Sequence, residues 1–146
     1  MTQKITTFLW FDGKAKEAAE FYCSIFKNSK VLSANPMIVT FELEGQKFIA
    51  LNGGPQYKFT EAVSLFVDCE TQEEVDKLWN TLTSNGGEES MCGWLKDKYG
   101  LSWQIIPKVL MELMNDKDQE KSQRVMQAML KMRRIIIKDL QAAHTV

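Results

Sequence analysis

Length, composition and charge exclude several classes of protein. The chain has 146 residues, of which 45% are hydrophobic and 25% are charged, as in an average globular domain. A chain of this length buries enough surface to fold without disulfides. Its 18 Lys and Arg against 19 Asp and Glu give a formal net charge of −1. We therefore expect no nucleic-acid partner, because general nucleic-acid binders carry an excess of positive charge.

The cysteines and the N-terminal segment favour a cytoplasmic protein. Cys23, Cys69 and Cys92 are odd in number and far apart, with no Cys-x-x-Cys pair, so neither a disulfide framework nor a zinc site is predicted. No apolar run has the length of a signal-peptide core or of the roughly 20 residues that span a membrane. We expect a cytoplasmic location and no membrane partner.

The first half of the chain predicts a β-α-β-β-β unit. Ile5–Phe11 reads as a strand that ends at the turn dipeptide Asp12-Gly13. Apolar residues at helical spacing from Ala15 predict a helix on a core. Three short strands follow at Lys30–Ser33, Met37–Glu44 and Gln46–Asn52. Gly53-Gly54-Pro55 then breaks the pattern.

The second half repeats this order. Ala62–Asp68 predicts a strand, and Thr71-x-x-Glu74 has the spacing of a capping box at a helix start. The helical stripe comprises Val75, Leu78, Trp79 and Leu82. Strands are expected at about Glu88–Cys92, Trp94–Lys96 and Leu101–Ile106.

The two halves can be overlaid. Adding 56 takes Leu9 to Leu65, and adding 55 takes Gly45 to Gly100. The overlay predicts two copies of one unit, neither closing a core alone. We expect module one at about 1–53, module two at about 60–107 and a helical tail over about 108–146.

The tail predicts two helices. Lys108–Met114 forms a short one, and Asp116 or Asp118 caps a longer one that reaches about Arg133. Five of the eight methionines lie in the tail, which suits packing over a sheet or across a dimer. Ile135–Ile137 is expected to add an edge strand or to dock the tail.

Several strings in the chain are similar to one family. They are Phe8–Lys14, Ala18–Tyr22, Phe48–Pro55, Lys58–Ala62, Cys92–Gly100, Ser102–Gln104 and Val125–Met132. They resemble the PhnB-like family, also labelled 3-demethylubiquinone-9 3-methyltransferase-like, of the vicinal oxygen chelate superfamily, and the resemblance spans nearly the whole chain. It implies an α+β fold, glyoxalase/bleomycin resistance-like, in which two β-α-β-β-β modules form curved mixed sheets around a cleft. It also implies a single domain and a homodimer.

The family label implies methyl transfer, which the residues disfavour. A methyltransferase of the ordinary type holds S-adenosylmethionine with a Gly-rich turn between a strand and a helix. Gly53-Gly54-Pro55 precedes no helical pattern. The reaction, and the catalytic residues, stay unassigned.

The resemblance also locates the positions of a metal site. Metal-dependent members of the superfamily use a His near the start of the first strand and a Glu four residues after the last hairpin Gly. Here these positions hold Thr6, Ile49, Ala62 and Gln104. Only Gln104 offers a usable oxygen, and divalent metals need imidazoles or carboxylates. The sole histidine, His144, is expected in a solvated terminal segment. We predict no metal and no cofactor.

Strand alternation predicts a ligand pocket. If Leu9 and Phe11 face the helix, their neighbours face the cleft. The predicted pocket residues are Thr6, Phe8, Trp10, Ser64, Phe66, Ser102 and Gln104. This lining suits a small apolar or aromatic molecule, with Gln104 as a polar anchor. Alternatively, these aromatic side chains pack the cleft shut.

Four further features are interpreted as structural. Cys92 has no histidine to activate it, and Asp97 occupies a turn position. Tyr57-Lys58-Phe59 is read as a surface connector, although it could close over a ligand. Lys131–Arg134 suits a helix end.

Taken together, the repeat, the family resemblance and the missing metal ligands favour a metal-independent small-molecule-binding protein. The alternatives are a metal-dependent lyase or isomerase of the glyoxalase type and a non-catalytic structural dimer.

Overall fold

The computed structural model describes residues 3–146. The chain divides into two compact units, the first ending at Phe59 and the second beginning at Thr60. Each unit contains one mixed four-stranded sheet. None of the helices within residues 3–146 is long and apolar enough to cross a membrane.

The first unit has the predicted β-α-β-β-β order. Its elements are β1 (Thr7–Phe11), α1 (Ala15–Ile25), β2 (Lys30–Ala34), β3 (Ile38–Leu43) and β4 (Gln46–Asn52). The strands lie in the order β1-β4-β3-β2, with β1 parallel to β4 and the other pairs antiparallel. The predicted first strand is two residues too long, because Ile5 and Thr6 precede β1.

Helix α1 covers one face of this sheet. Its buried residues are Ala15, Ala18, Ala19 and Tyr22, and the small alanines let the helix approach the strands closely. Leu9 and Phe11 are buried as alternation predicts. Asn52, at the end of β4, supplies the cap of α1, since its Oδ1 accepts a hydrogen bond from the Ala15 amide at 2.9 Å.

The second unit repeats the order and adds the tail. Its elements are β5 (Ser64–Cys69), α2 (Gln72–Thr83), β6 (Glu88–Glu89), β7 (Trp94–Lys96), β8 (Ser102–Pro107), α3 (Lys108–Met114), α4 (Gln119–Leu130) and α5 (Ile137–Thr145). The strand order is β5-β8-β7-β6, with β5 parallel to β8. The predicted capping residue is confirmed, because Thr71 Oγ1 accepts from the Glu74 amide at 3.1 Å. The Glu74 carboxylate accepts from the Glu70 amide at 2.7 Å.

The tail packs around its own apolar cluster. The buried members are Ile106, Leu110, Val125, Ile135 and Leu140. Ile135 therefore docks the tail instead of extending a sheet edge. The backbone beside it is also fixed, since the Cys92 and Gly93 amides donate to the carbonyls of residues 132 and 133 at 2.7 and 2.8 Å. Asp118 caps α4, which ends at Leu130, short of the predicted Arg133.

The prediction of a solvated segment around His144 is wrong. His144 lies in α5, with Nε2 2.7 Å from Asp116 Oδ2. Arg124 Nε donates to the Ala143 carbonyl at 2.9 Å, which satisfies the helix end. Leu140 is fully buried and anchors the helix. Packing of this apolar residue, which lies only one turn from His144, keeps the C-terminal turn ordered.

The internal repeat is confirmed, and so is the separation of 55 for the last strands, but the separation of 56 for the first strand and the helix is wrong. Leu9 pairs with Ala50, and Val67 pairs with Ile105. Since Ala50 and Ile105 are 55 positions apart, Leu9 corresponds to Val67, 58 positions on, and not to Leu65. The buried face of α1 likewise matches that of α2 at a separation of 60, as Ala15 and Val75 show. A slip of two residues in a strand or one turn in a helix preserves the apolar face, so periodicity did not detect it.

Candidate functional site

The face of the first sheet opposite α1 carries three of the seven predicted pocket residues. Phe8 is 54% exposed, and Trp10 is partly buried on the same face. In the parallel pair they lie beside Ile49 and Leu51. Thr6 is partly buried and lies just before β1. The part of this face formed by Phe8, Trp10, Ile49 and Leu51 is therefore apolar, with Trp10 as its largest side chain.

Trp10 is held by the loop after β4. Its Nε1 donates to the Gly54 carbonyl at 2.9 Å, and the ring of Tyr57 meets it edge-on at 4.9 Å between centroids. A Cβ on Gly53 would overlap the indole. The two glycines thus accommodate Trp10 and, as predicted, precede no helix. Tyr57 and Phe59, which contacts the ring of Phe11, are more than a surface connector.

The other four predicted residues come together on the second sheet. Ser64 pairs with Ser102, and Phe66 pairs with Gln104. Gln104 Nε2 donates to Ser64 Oγ at 3.0 Å, and Phe66 is 52% exposed. Gln104 stands where the first unit has the apolar Ile49. That all seven residues line one cleft remains a prediction.

The observed strand register changes which residue of the second unit corresponds to Thr6, one of the four positions at which the sequence was compared with a metal site. Ala62 lies in an exposed turn before β5, so it cannot occupy a strand position. Thr6 corresponds instead to Ser64, 58 positions on, by the pairing that relates Leu9 to Val67. In the second unit, the two positions at which a metal-dependent member would present ligands are Ser64 and Gln104. They are neutral and bonded to each other.

These side chains do not fit a divalent metal. A hydroxyl and an amide are weak ligands for the ions that imidazole and carboxylate groups hold. Within residues 3–146 no group of three or more His, Cys, Asp or Glu could hold a metal ion. The positions that a metal would need are therefore occupied by hydrogen-bonding groups.

A cavity of about 180 Å³ lies next to these residues, and sequence reasoning missed most of its lining. It is lined in part by Glu61, Glu88, Trp94, Lys96 and Ser102. Lys96 and Trp94 lie directly opposite Ser102 and Gln104 in the sheet, so they share the open face. The Trp-Leu-Lys alternation of β7 is the signal that could have identified them.

The cavity lining contains an ion pair and a buried hydroxyl group without a hydrogen-bond partner in the described part of the chain. Glu61 forms an ion pair with Lys96. The hydrogen bond between the two side chains lowers the pKa of the Glu61 carboxyl and raises the pKa of the Lys96 ammonium. Ser102 is only 1% exposed, and its Oγ has no hydrogen-bond partner in the described part of the chain. A buried hydroxyl without a partner is costly.

Asp97 and Cys69 have structural roles. The Asp97 carboxylate accepts hydrogen bonds from the Tyr99 amide at 2.9 Å, the Leu101 amide at 3.1 Å and Trp103 Nε1 at 2.9 Å. This confirms the turn interpretation of Asp97. Burial raises the pKa of the Cys69 thiol to about 12, which disfavours the thiolate.

The comparisons with known proteins place the chain in a family. The model of the 3-demethylubiquinone-9 3-methyltransferase family matches residues 3–106. The chain belongs to this PhnB-like family. The match ends at the last strand, so the string Val125–Met132 lies outside it, and the resemblance covers less of the chain than predicted. No curated protein matches the chain.

Solved structures agree with this assignment. A PhnB protein from Bacillus cereus is 40% identical, with a TM-score of 0.66 over 72% of this chain and 99% of that one. A glyoxalase-related enzyme from Fulvimarina pelagi is 15% identical, with a TM-score of 0.52 over 74% of this chain and 91% of that one. The fosfomycin resistance protein FosX from Listeria monocytogenes, solved with Mn(II) and sulfate, is 13% identical, with a TM-score of 0.52 over 70% of this chain and 87% of that one. The last two share the glyoxalase-like α+β fold, to which this chain adds C-terminal helices.

Proposed function

We propose that this PhnB-like protein binds a small apolar or aromatic molecule without a metal ion. The observation that carries the proposal is the hydrogen bond between Gln104 and Ser64. It joins the two positions of the second unit at which metal-dependent members would hold an ion. The site therefore orients its ligand by neutral hydrogen bonds and not by coordination.

The surroundings of Gln104 support an apolar ligand. Phe66, directly beside it in the sheet, leaves half of its surface exposed. Gln104 uses its amide nitrogen on Ser64, while Oε1 accepts no hydrogen bond from residues 3–146. Aromatic surface with one unused acceptor is typical of sites that bind by burial and orient by a few hydrogen bonds.

The other functions have less support. Metal-dependent lyase or isomerase chemistry would need imidazoles or carboxylates where Thr6, Ile49, Ser64 and Gln104 stand. Methyl transfer of the ordinary type would need a Gly-rich turn before a helix, and Gly53-Gly54 accommodates Trp10 instead. A purely structural dimer is distinguished by the binding test.

A thermal-shift screen tests the proposal. Indole, benzyl alcohol and acetophenone serve as neutral aromatic probes, because a molecule that binds only the native state raises the unfolding midpoint. Gln104→Leu should weaken binding by about 0.5–1.5 kcal/mol with little loss of folding stability. Gln127→Leu on the exposed side of α4 is the control. The proposal is wrong if no probe shifts the midpoint, or if Gln104→Leu changes stability and leaves binding untouched.

We also propose that the protein is a homodimer. The tail leaves Met111, Met126 and Leu130 exposed, and a second copy would remove such apolar surface from water. Sedimentation should give a dimer at micromolar concentration. A monomer that does not change on dilution would contradict the homodimer.

Elemental analysis that finds stoichiometric zinc, nickel, manganese or iron would contradict the metal-free site.

A further inference from the structure

We propose that the cavity beside β7 binds the positively charged nitrogen of an organic amine. This inference rests on the proposed function and deepens it, because Ser102 belongs to both sites. The ligand class is then a small molecule with an apolar or aromatic part and an ammonium group.

The charge of the lining favours a cation. Three glutamates, Glu61, Glu88 and Glu89, line the cavity together with a single basic residue, Lys96. Glu89 faces α2, where its Oε1 accepts a hydrogen bond from Trp79 Nε1 at 2.6 Å, so only Glu61 and Glu88 share the open face with Lys96 and they leave one uncompensated negative charge. Lys96 is already engaged, since Glu61 pairs with it and Glu88 lies opposite it in the β6–β7 register. An anionic ligand would have to displace Glu61 from Lys96.

The unpaired hydroxyl of Ser102 is a second observation, independent of the charges, that favours a ligand in this cavity. Its Oγ is buried and has no hydrogen-bond partner within residues 3–146, and the residue lines the cavity. The neighbouring hydroxyl of Ser64 accepts its bond from Gln104 instead. A hydroxyl oxygen can accept a hydrogen bond from an ammonium N–H, which would remove the cost of leaving it unpaired. The unpaired hydroxyl thus belongs to a residue of the cavity wall.

Trp94 and the size of the cavity narrow the ligand class. The indole of Trp94 is partly buried in the lining, and a cation over such a ring is stabilised by its quadrupole. A bare metal ion does not fit, because these acidic groups form no metal-binding cluster in the described part of the chain. The volume of about 180 Å³ is below the roughly 300–1,000 Å³ of drug-sized sites, so it suits a small ammonium group.

The apolar part of the ligand has a surface nearby. Trp94 lies directly opposite Gln104, and Gln104 lies beside the half-exposed Phe66. All three side chains belong to one face of the second sheet. A ligand with its nitrogen at Ser102 therefore reaches Gln104 and Phe66 with its aromatic part.

Titration calorimetry at neutral pH tests the inference with a matched pair of probes. Benzylamine, protonated under these conditions, should bind at least about fivefold more tightly than benzyl alcohol, which has the same ring without the charge. Glu88→Gln should weaken benzylammonium binding about two- to fivefold and leave benzyl alcohol unchanged. Glu73→Gln removes the same charge from the exposed first turn of α2 and should have no effect.

Ser102→Ala separates binding from packing. The variant should weaken benzylammonium binding about two- to tenfold and leave the melting temperature unchanged or higher, because it removes a buried polar group without a partner. A lower melting temperature with unchanged binding would assign Ser102 to packing and overturn the inference. So would equal affinity for both probes, no binding of benzylammonium, or equal effects of Glu88→Gln and Glu73→Gln.

The outcomes also separate this inference from the proposed function. Neutral probes that bind and depend on Gln104, with no preference for benzylammonium, would leave the proposed function standing and overturn the amine site. Benzylammonium binding that depends on Ser102 and Glu88, with no neutral probe bound, would support the amine site and contradict the apolar ligand surface.

Discussion

The open faces of the two sheets differ at the parallel pair of strands, which is apolar in the first unit and mixed in the second. Phe8 lies beside Ile49 in the first sheet, and at the corresponding positions Phe66 lies beside Gln104 in the second. Both units nevertheless share strand order and a buried helix face. The repeated fold fixes where side chains stand, and each unit is free to vary their chemistry on the face that its own core does not use.

The units also build equivalent turns and helix starts by different means. The β3–β4 hairpin turns at Glu44-Gly45, both with positive φ. The β7–β8 connection depends instead on the buried carboxylate of Asp97. Helix α2 is capped locally by Thr71, while α1 takes its cap from Asn52, 37 positions away. Local sequence thus specifies one unit in places where tertiary contacts specify the other.

Asp97→Ala should have the largest effect on stability. The change leaves two backbone amides and the indole N–H of Trp103 without an acceptor, and each orphaned donor costs about 1–3 kcal/mol. We expect a loss of about 3–5 kcal/mol in urea unfolding. Glu44→Ala, in the equivalent hairpin, should cost less than about 1 kcal/mol. Equal losses would show that the two turns do not differ as described.

Gly93→Ala should come next, with Gly13→Ala as its counterpart in the first unit. Both glycines have positive φ, at 83° and 72°. A Cβ on Gly93 would lie 2.7 Å from Ile106 Cδ1 and 3.1 Å from the Ile105 carbonyl, while one on Gly13 meets nothing within 4 Å. We expect losses of roughly 2–4 kcal/mol and about 1 kcal/mol. Similar unfolding midpoints for both variants would contradict the close packing of β8 on Gly93.

The helix caps give a smaller contrast. Asn52 accepts from the Ala15 amide and donates to the Pro36 carbonyl at 3.0 Å, so Asn52→Ala loses two hydrogen bonds. We expect a loss of about 1–3 kcal/mol. Thr71→Ala loses one cap and should cost about 1 kcal/mol. Chemical denaturation of both variants measures the difference, and a larger loss for Thr71→Ala would reverse the ranking.

The elements that could be predicted from the sequence are those fixed by short-range patterns. Gln46–Asn52, Trp94–Lys96 and Lys108–Met114 have the predicted bounds, because alternation, helical spacing and flanking turn residues define them locally. The sheet register could not be predicted in this way. A shift of two residues leaves a strand's faces unchanged, so only pairing with β8 shows that Ser64, and not Ala62, corresponds to Thr6.

The candidate site likewise has features that local sequence patterns predict and features that they do not. The exposure of Phe8 and Phe66 follows from alternation. The unpaired state of Ser102 Oγ and the acidic lining around Lys96 depend on which strands lie side by side, and no local pattern contains that information. The contact of His144 with Asp116, 28 positions away, was missed for the same reason.

The smallest expected effect concerns this contact in the tail, which has no counterpart in the first unit. The hydrogen bond from the Asp118 amide, at 2.8 Å, and then the bond with His144 lower the pKa of Asp116. A carboxyl whose pKa is lower in the folded state contributes stability above its unfolded value, near 3.8, and loses it as the pH falls through the folded value. Asp116→Asn should therefore destabilise the tail at neutral pH, and the difference from the unchanged protein should shrink below about pH 4.

Hydrogen exchange measures this effect where it occurs. In Asp116→Asn the amides of α5 should exchange faster at neutral pH, because the variant weakens the contact that fixes the last turn of the helix. The amides of β1 and β4 should not change. Glu73→Gln, in the exposed first turn of α2, removes the same charge away from the tail and serves as the control, with no change expected in α5. Both side chains of the pair are partly exposed, at 19% for His144 and 31% for Asp116, so solvent screening keeps the effect small.

Faster exchange in β1 as well would mean that the tail stabilises the first unit, and the contrast between the two units would then not extend to their stability.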